Sequence, residues 1–153
     1  MHFTITRDTP HSELWLGILE IAGRKFHTLE AADCLPSGTY RLRHHQRPNG
    51  EQCFALVSPQ AGVYHQPYDV PASRKPTARF LRLIHAGDYF WDAHSIALGK
   101  NRILETIRGS GTPMKTWRMA ETKSAMNELR TLIGNSFDNE VTIICSMEAQ
   151  AVG

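Results

Sequence analysis

Residues 39–57 have the sequence TYRLRHHQRPNGEQCFALV, which is the clearest structural signal in the chain. Asn49-Gly50 is typical of a two-residue hairpin turn, because both residue types tolerate the positive φ angles that such a turn requires. The segments on either side, 39–45 and 52–57, carry the aromatic and aliphatic residues expected of two strands. This stretch therefore predicts a β-hairpin and makes a β-rich fold the starting hypothesis.

Alternating or apolar segments on both sides of this hairpin predict further strands. Upstream they lie at residues 3–7, 14–21 and 25–30, the last two joined by a turn at Ala22-Gly23. Downstream they lie at residues 79–84, which we expect to form a central strand, and at 95–98 and 140–145.

One helix is predicted, over residues 119–133, which contain no Gly or Pro and place their apolar side chains near one face. Gly134-Asn135 follows as a typical C-terminal cap. Residues 58–78, with four prolines, and residues 106–116, with two glycines and a proline, are predicted loops. Loops as long as the first of these are often functional.

The predicted fold class is mainly β, a β-rich α+β protein with one mixed sheet and a single packed helix near 119–133. A length of 153 residues favours one domain, 1–153, with about seven to nine short strands. Residues 146–153 are expected to form a loose C-terminal tail.

Composition excludes several classes of protein. Seventeen basic and fifteen acidic residues leave a net charge of +2, which does not predict a nucleic-acid partner. No apolar run approaches the ~20 residues of a membrane helix, and the first residues do not resemble a secretory signal peptide. We therefore expect no membrane partner and a cytoplasmic protein. The three cysteines are odd in number and widely spaced, and we expect them to be buried thiols.

Residues 85–95, HAGDYFWDAHS, contain the densest group of reactive side chains and directly follow the predicted central strand. In one interpretation Ser95 is a nucleophile and His85 or His94 is its base, although no G-x-S-x-G motif surrounds the serine. In a second, His85, Asp88, Asp92 and His94 bind zinc, although their spacing matches no known zinc motif. In a third, the histidines only satisfy backbone groups and the aspartates cap turns.

Two other histidine positions stand out. His44 and His45 are neighbours in a predicted strand, so their rings point to opposite faces and cannot chelate one ion together. We interpret them as a solvent-facing pair. His65 lies in the long loop between Tyr64 and Tyr68, from where it could close over a pocket.

Five short motifs occur in an order that resembles a small phage and bacterial family, a domain of unknown function. They are TLE at 28–30, PSGTY at 36–40, IHAGD at 84–88, HSIALG at 94–99 and ETKSA at 121–125. The family has a T-L-E-like segment, P-x-G-x-Y, an I-H-x-G-N turn, G-C-I-x-x-G and a Ser-Arg-containing helix. The resemblance covers roughly residues 12–133.

That layout in turn resembles a reduced L,D-transpeptidase catalytic domain, in which a cysteine thiolate attacks a peptidoglycan stem peptide. The resemblance implies that His85 is the base and that Ser95 stands at the cysteine position. In a catalytic site we expect Asp88 or Asp92 to orient the imidazole, because a base is held in place by a third group. We expect a pocket walled by the substrate-binding residues Tyr89 and Trp91 with Phe90 and His94, covered by the 58–78 loop with His65, and no metal or cofactor. Ser95 departs from the family because an alcohol, unlike a thiol, needs full assistance from a base. His94 replaces the family's glycine.

Two functions follow from the resemblance. The first is a phage-associated peptidoglycan-active or peptidoglycan-binding domain whose partner is a stem peptide. The alternative is a virion structural or accessory protein on the same scaffold without catalysis, with other virion proteins or further copies of this chain as partners. The expected location is the host cytoplasm or the virion.

Overall fold

A computed structural model of the protein describes residues 1–10, 13–109 and 111–146. Among these residues it contains twelve strands and one α-helix. The strands are β1 His2–Pro10, β2 Leu14–Ile21, β3 Arg24–Ala31, β4 Gly38–Gln46, β5 Gln52–Val57, β6 Val63–Tyr64, β7 Arg79–Phe80, β8 Leu83–Ala86, β9 Ser95–Gly99, β10 Asn101–Ile107, β11 Met114–Ala120 and β12 Glu140–Cys145. The helix, α1, is Thr122–Ile133, and short 3-10 helices lie at Pro59–Ala61, Pro67–Asp69, Ala72–Arg74 and Phe90–Asp92.

Eight strands close into a barrel in the order β1-β12-β4-β5-β8-β9-β3-β2. The pairs β1–β12 and β8–β9 are parallel and the other neighbours are antiparallel, so the sheet is mixed. The main hydrophobic core includes inward-facing side chains from these strands, among them Ile5, Phe26, Tyr40, Phe54 and Ile96. The prediction of a mainly β, mixed-sheet protein is confirmed.

Both predicted hairpins are present. Strands β4 and β5 pair from Arg41 opposite Val57 to Gln46 opposite Gln52. Residues 47–51 connect them, so the turn is longer than the two residues expected, and of Asn49-Gly50 only Gly50 has a positive φ angle, 89°. Strands β2 and β3 are joined at Ala22 and Gly23, whose φ angles are 48° and 75°. Two consecutive positive φ angles are those of a type I′ turn, which matches the right-handed twist of the flanking strands.

The predicted helix is confirmed, but it begins at Thr122 rather than at residue 119 and ends at Ile133. Its buried face consists of Ala125, Met126, Leu129 and Ile133, which pack into the main core beside β8 and β9. The N–H of Gly134 donates to the Arg130 carbonyl and caps the C-terminus. In the described part of the chain, no helix has the length and apolarity needed to cross a membrane.

The predicted loop over residues 106–116 is correct for residues 108–113 but wrong at both ends, where residues 106–107 belong to β10 and residues 114–116 to β11. β10 and β11 form a hairpin, from Asn101 opposite Ala120 to Ile107 opposite Met114, and only residues 108–113 connect them. The glycines and the proline in that segment belong to this connection and do not break the strands. Because β10 and β11 lie outside the barrel, as do β6 and β7, the described residues contain more strands than the seven to nine expected.

Residues 79–84 are not one central strand, as the sequence predicted, but parts of two strands. Leu81 has a φ angle of 51°, which interrupts the extended backbone between β7 and β8. β7 pairs in parallel with β6 outside the barrel, whereas β8 lies in the barrel between β5 and β9. Only the second part of the apolar run is therefore central.

The C-terminal residues 147–153 lie outside the described residues, so most of the predicted tail is not described. Ser146, where that tail was predicted to begin, donates a hydrogen bond from its hydroxyl to the Arg7 carbonyl. The three cysteines are free thiols: Cys53 and Cys145 are buried, as predicted, whereas Cys34 is only half-buried.

Candidate functional site

The reactive segment 85–95 connects two parallel strands that are neighbours in the barrel. β8 and β9 pair with Leu83 opposite Ser95 and His85 opposite Ala97. Parallel neighbours require the connecting loop to run back along the strands, so it brings His94 close to the start of β8. The N–H of Leu83 donates to the His94 carbonyl at 2.8 Å and holds the returning chain there.

His85 is fully buried, and both of its ring nitrogens are bonded to backbone groups. Nε2 lies 2.9 Å from the backbone N of His94, which donates to it, and Nδ1 lies 2.8 Å from the Ala86 carbonyl oxygen. Since an N–H only donates and a carbonyl only accepts, the ring is neutral and carries its proton on Nδ1. Burial lowers the pKa of His85 to about 4.

Ser95 is the first residue of β9 and is buried, with a φ angle of 129° that L-residues rarely adopt. Within the described residues, no hydrogen bond joins its hydroxyl to either His85 or His94. The structure thus brings Ser95 and His85 to neighbouring strands without forming a nucleophile–base pair. The His85 contacts are those of the interpretation in which histidines satisfy backbone groups.

Asp88 and Asp92, the two candidates to orient the imidazole, have other surroundings. The Asp88 carboxylate accepts a hydrogen bond from the Thr122 hydroxyl at 3.3 Å, and its backbone carbonyl accepts one from the Met119 N–H. Asp88 thereby ties the 87–94 loop to the junction between β11 and α1. Neither aspartate can orient His85, because both ring nitrogens are already bonded to backbone groups.

A cleft of about 770 Å³ opens beside this loop. Its walls are the tip of the β4–β5 hairpin, the loop after β8 and the exposed face of α1. The lining residues are Arg47, Asn49, Gly50, Glu51, Gln52, Ala86, Gly87, Asp88, Trp91, Asp92, His94, Thr122, Lys123, Met126, Asn127 and Arg130.

Glu51 fixes one wall of the cleft. One carboxylate oxygen lies 2.9 Å from the Arg47 guanidinium, and the other accepts a hydrogen bond from the Ala86 N–H, also at 2.9 Å. The second bond links the hairpin tip to the end of β8. The hairpin wall is therefore held in place by a charge-assisted hydrogen bond to β8, in addition to the backbone hydrogen bonds between β4 and β5.

Four charged residues lining the cleft, Asp88, Asp92, Lys123 and Arg130, form no ion pair with any residue that the structure describes. The two acids come from the loop after β8, whereas the two bases come from α1. All four are exposed to solvent. The cleft thus offers charged groups of both signs to a ligand.

An aromatic cluster stands at the edge of the cleft. The rings of Tyr89 and Trp91 stack in parallel with centroids 4.4 Å apart, and Phe90 contacts Trp91 edge-on. The Tyr89 hydroxyl donates to Glu105 at 2.6 Å, which holds the stack from the side of β10. Trp91 is 52% exposed and lines the cleft, so it presents a fixed apolar surface there.

The predicted substrate-binding residues are thus only partly brought together. Trp91 and His94 line the cleft, and Tyr89 supports Trp91 from behind. His65 is elsewhere: its Nε2 lies 3.1 Å from Nδ1 of His45 on β4. None of the residues 58–78, all of which the structure describes, lines the cleft.

The zinc interpretation of residues 85–94 finds no support in the geometry. In residues 1–10, 13–109 and 111–146, no group of three or more His, Cys, Asp and Glu side chains is arranged to hold a metal ion. His85 in particular has no free lone pair, because its Nε2 accepts the His94 N–H.

Sequence reasoning missed the helix wall of the cleft. Lys123, Met126, Asn127 and Arg130 all line it, and their spacing of three, four and seven residues places them on one helix face. That spacing is visible in the sequence. The signal went unused because the position of α1 relative to the 85–95 loop depends on long-range packing.

No family model, curated protein or solved structure matches this chain.

Proposed function

We propose that this protein is a phage-associated peptidoglycan-binding domain that holds a stem peptide in the cleft without cleaving it. The observation that carries the choice of binding over catalysis is the state of His85. Its two nitrogens are bonded to the Ala86 carbonyl and the His94 N–H, so no lone pair remains to deprotonate Ser95. A serine without such a base is a poor nucleophile at neutral pH.

The charges of the cleft support a peptide ligand with groups of both signs. Stem peptides carry free carboxylates and amino groups, which Lys123 and Arg130 on one wall and Asp88 and Asp92 on the other can bind. Trp91 offers an apolar surface for side chains or for an attached sugar ring. The phage setting is supported by the five motifs that resemble the phage and bacterial family.

A virion structural or accessory role without ligand binding is the second candidate. One observation favours it: Ile103, Leu104 and Met114 are exposed apolar side chains on the β10–β11 hairpin, outside the barrel. Specific interfaces bury more than about 1,000 Å² in total, so a structural protein should self-associate or join virion proteins in a stable complex. Sedimentation analysis of the purified chain, alone and with particle proteins, tests this role.

The deciding experiment titrates purified muropeptides into the wild-type chain by calorimetry and analyses the products by mass spectrometry. We expect saturable binding with no turnover, and a loss of at least tenfold in affinity for Arg130→Gln. Arg41→Gln is the matched control, because Arg41 is also an exposed arginine but lies on β4 and does not line the cleft.

The Ser95 variants separate binding from catalysis. We expect Ser95→Ala to bind like the wild type. Turnover by the wild type that disappears in Ser95→Ala would overturn the non-catalytic proposal. Turnover only in Ser95→Cys would identify a former active site that lacks its nucleophile, which is compatible with binding. Absence of binding by the wild type would reject the peptidoglycan role.

A further inference from the structure

A pair of histidines lies outside the cleft, at the point where the 58–82 segment meets the barrel. His45 is on β4 and His65 directly follows β6, twenty residues later. His45 Nδ1 and His65 Nε2 are 3.1 Å apart, and the ring centroids are 5.2 Å apart with an interplanar angle of 74°. Both side chains are half-buried, so the pair is accessible to small solutes.

We propose that His45 and His65 together form a binding site for a divalent zinc ion. Imidazole nitrogens bind zinc at about 2.0–2.1 Å, so two of them on one tetrahedral ion are about 3.3–3.4 Å apart. The observed separation of 3.1 Å is within a few tenths of an ångström of this value. In this contact one ring nitrogen donates its proton to the other. Zinc binding requires that proton to leave the shared nitrogen, by a change of tautomer, and each ring to rotate modestly so that both lone pairs point at one ion.

The surroundings of His65 favour a ligand over a charged histidine. Burial, and then the neighbouring charge of His45, lower the pKa of His65, while the carboxylate of Asp69 acts in the opposite direction and Arg43 adds to the lowering. His65 is therefore neutral at pH 7, as a metal ligand must be. Asp69 also supplies negative charge near the site, where it partly offsets the charge of the ion.

The remaining coordination positions fall to water. The described residues offer no third side chain arranged around the pair, in agreement with the lack of any three-residue metal group among them. Two protein ligands plus solvent give an exchangeable site of moderate affinity rather than a closed structural one. Imidazole ligands select zinc, copper and nickel over calcium and magnesium.

A bound ion would connect two parts of the fold. His45 belongs to the barrel, whereas the backbone carbonyl of His65 accepts a hydrogen bond from the Leu81 N–H, next to β7. Zinc at the pair would therefore fasten the segment carrying β6 and β7 to β4. Anything that binds only the folded state raises its stability, so zinc should raise the melting temperature.

The chain provides a matched control in the adjacent histidine. His44 is on the same strand, but its ring contacts Phe54 and Phe137 and its Nε2 lies 3.4 Å from the Ser136 carbonyl. His44→Gln therefore removes an imidazole from the same strand without touching the pair. Gln at position 65 keeps a hydrogen-bonding group near the place of Nε2 but is a poor zinc ligand.

The test titrates zinc chloride into the full chain at pH 7.5 by calorimetry, with histidine ring signals followed by NMR. We expect one zinc per chain, shifts confined to the His45 and His65 rings, and at least tenfold weaker binding in His65→Gln and in His45→Gln. Binding by His44→Gln should stay within twofold of the wild type.

Three outcomes would overturn the proposal. They are an absence of zinc binding by the wild type, affinities in His65→Gln and His45→Gln within twofold of the wild type, and zinc-induced shifts at other histidines only. Circular dichroism melts of each variant without zinc establish that the compared chains are folded.

Discussion

The backbone N–H of His94 donates to Nε2 of His85 across 2.9 Å, and this single bond determines what the buried histidine can do. A protonated Nε2 cannot accept that bond, so charging His85 would leave the His94 N–H without its acceptor and place a cation in the core. The histidine that the family resemblance suggests as a base is therefore held neutral as part of the scaffold.

The buried histidine predicts a loss of stability in mild acid. Its pKa is about 4 in the folded protein against 6.5 for an unperturbed imidazole. Between these values the unfolded chain binds the proton and the folded chain does not. The contribution of His85 to the free energy of unfolding is therefore complete above pH 6.5 and is lost as the pH falls from 6.5 to 4. The loss in the free energy of unfolding from this one group amounts to about 3 kcal/mol.

Urea unfolding of wild type and His85→Gln at pH 7.5, 6, 5 and 4 measures this effect. The variant lacks the titrating group, so its stability should decrease less over that interval, whatever its stability at pH 7.5. His2→Gln, which removes an exposed histidine, is the control and should follow the wild type. If the free energies of unfolding of wild type and His85→Gln changed in parallel with pH, His85 could not have a lowered pKa in the folded protein.

The backbone at Ser95 predicts that glycine is better tolerated there than serine. Its φ angle of 129° costs an L-residue about 1–3 kcal/mol, whereas glycine adopts it readily at an entropic cost of about 0.5–1 kcal/mol. Ser95→Gly should therefore raise the free energy of unfolding by about 1 kcal/mol. Ser58 has an extended φ of −152°, so the control Ser58→Gly should be neutral or destabilising. A lower unfolding midpoint for Ser95→Gly than for Ser58→Gly in denaturant would contradict the claim that the backbone at Ser95 is strained.

The elements predicted from sequence were those that depend on local signals. Asn49-Gly50 identified one hairpin, Ala22-Gly23 another, and helical periodicity identified α1. Closure of the barrel was not predictable in this way, because it depends on β1 pairing in parallel with β12, 138 residues further along the chain from His2 to Glu140. The β10–β11 hairpin was missed because no strand was predicted over residues 101–105, and the ends of the two strands were assigned to the 106–116 loop and to the start of the helix.

The residues of the candidate site likewise fall into those that local sequence signals identify and those that only tertiary packing brings to the cleft. The 85–95 segment was found because its polar residues are contiguous, and Trp91 and His94 do line the cleft. The helix residues Lys123 and Arg130 reach it only through tertiary packing. The His45–His65 contact was likewise invisible, because a strand pattern shows that His45 faces away from His44 but not what it meets.

The ion pair between Arg7 and Glu30 predicts a large asymmetry between single and double substitutions. Both side chains are buried, with two nitrogen–oxygen contacts of 2.8 Å, and Arg7 also donates to the Leu35 carbonyl. Arg7→Met leaves Glu30 buried without its partner and should cost about 3–5 kcal/mol. The double variant Arg7→Met, Glu30→Leu should recover most of that loss, because no unpaired charge remains.

Chemical unfolding of the two single variants and the double variant forms the cycle that checks this. The control is the half-exposed pair Arg102 and Asp8, whose contact of 3.3 Å is partly screened by solvent. Substitution of Arg102 by Met should cost no more than about 1 kcal/mol. Equal losses in the free energy of unfolding for Arg7→Met and Arg102→Met would show that burial does not determine the cost of breaking the Arg7–Glu30 pair.

Trp91 predicts a loss of ligand binding without a loss of stability. Its ring stacks on Tyr89 but is 52% exposed and lines the cleft, so removing it uncovers little of the core. Trp91→Ala should weaken muropeptide binding at least tenfold and change the free energy of unfolding by less than about 1 kcal/mol, because the lost contacts are with the ligand and with the neighbouring rings of Tyr89 and Phe90. Phe137→Ala is the matched control, since Phe137 is an 83% exposed aromatic outside the cleft and should leave affinity unchanged. Calorimetric titration and denaturant melts of both variants give the two quantities. Binding that survives in Trp91→Ala, or that is lost equally in Phe137→Ala, would place the ligand away from this cleft.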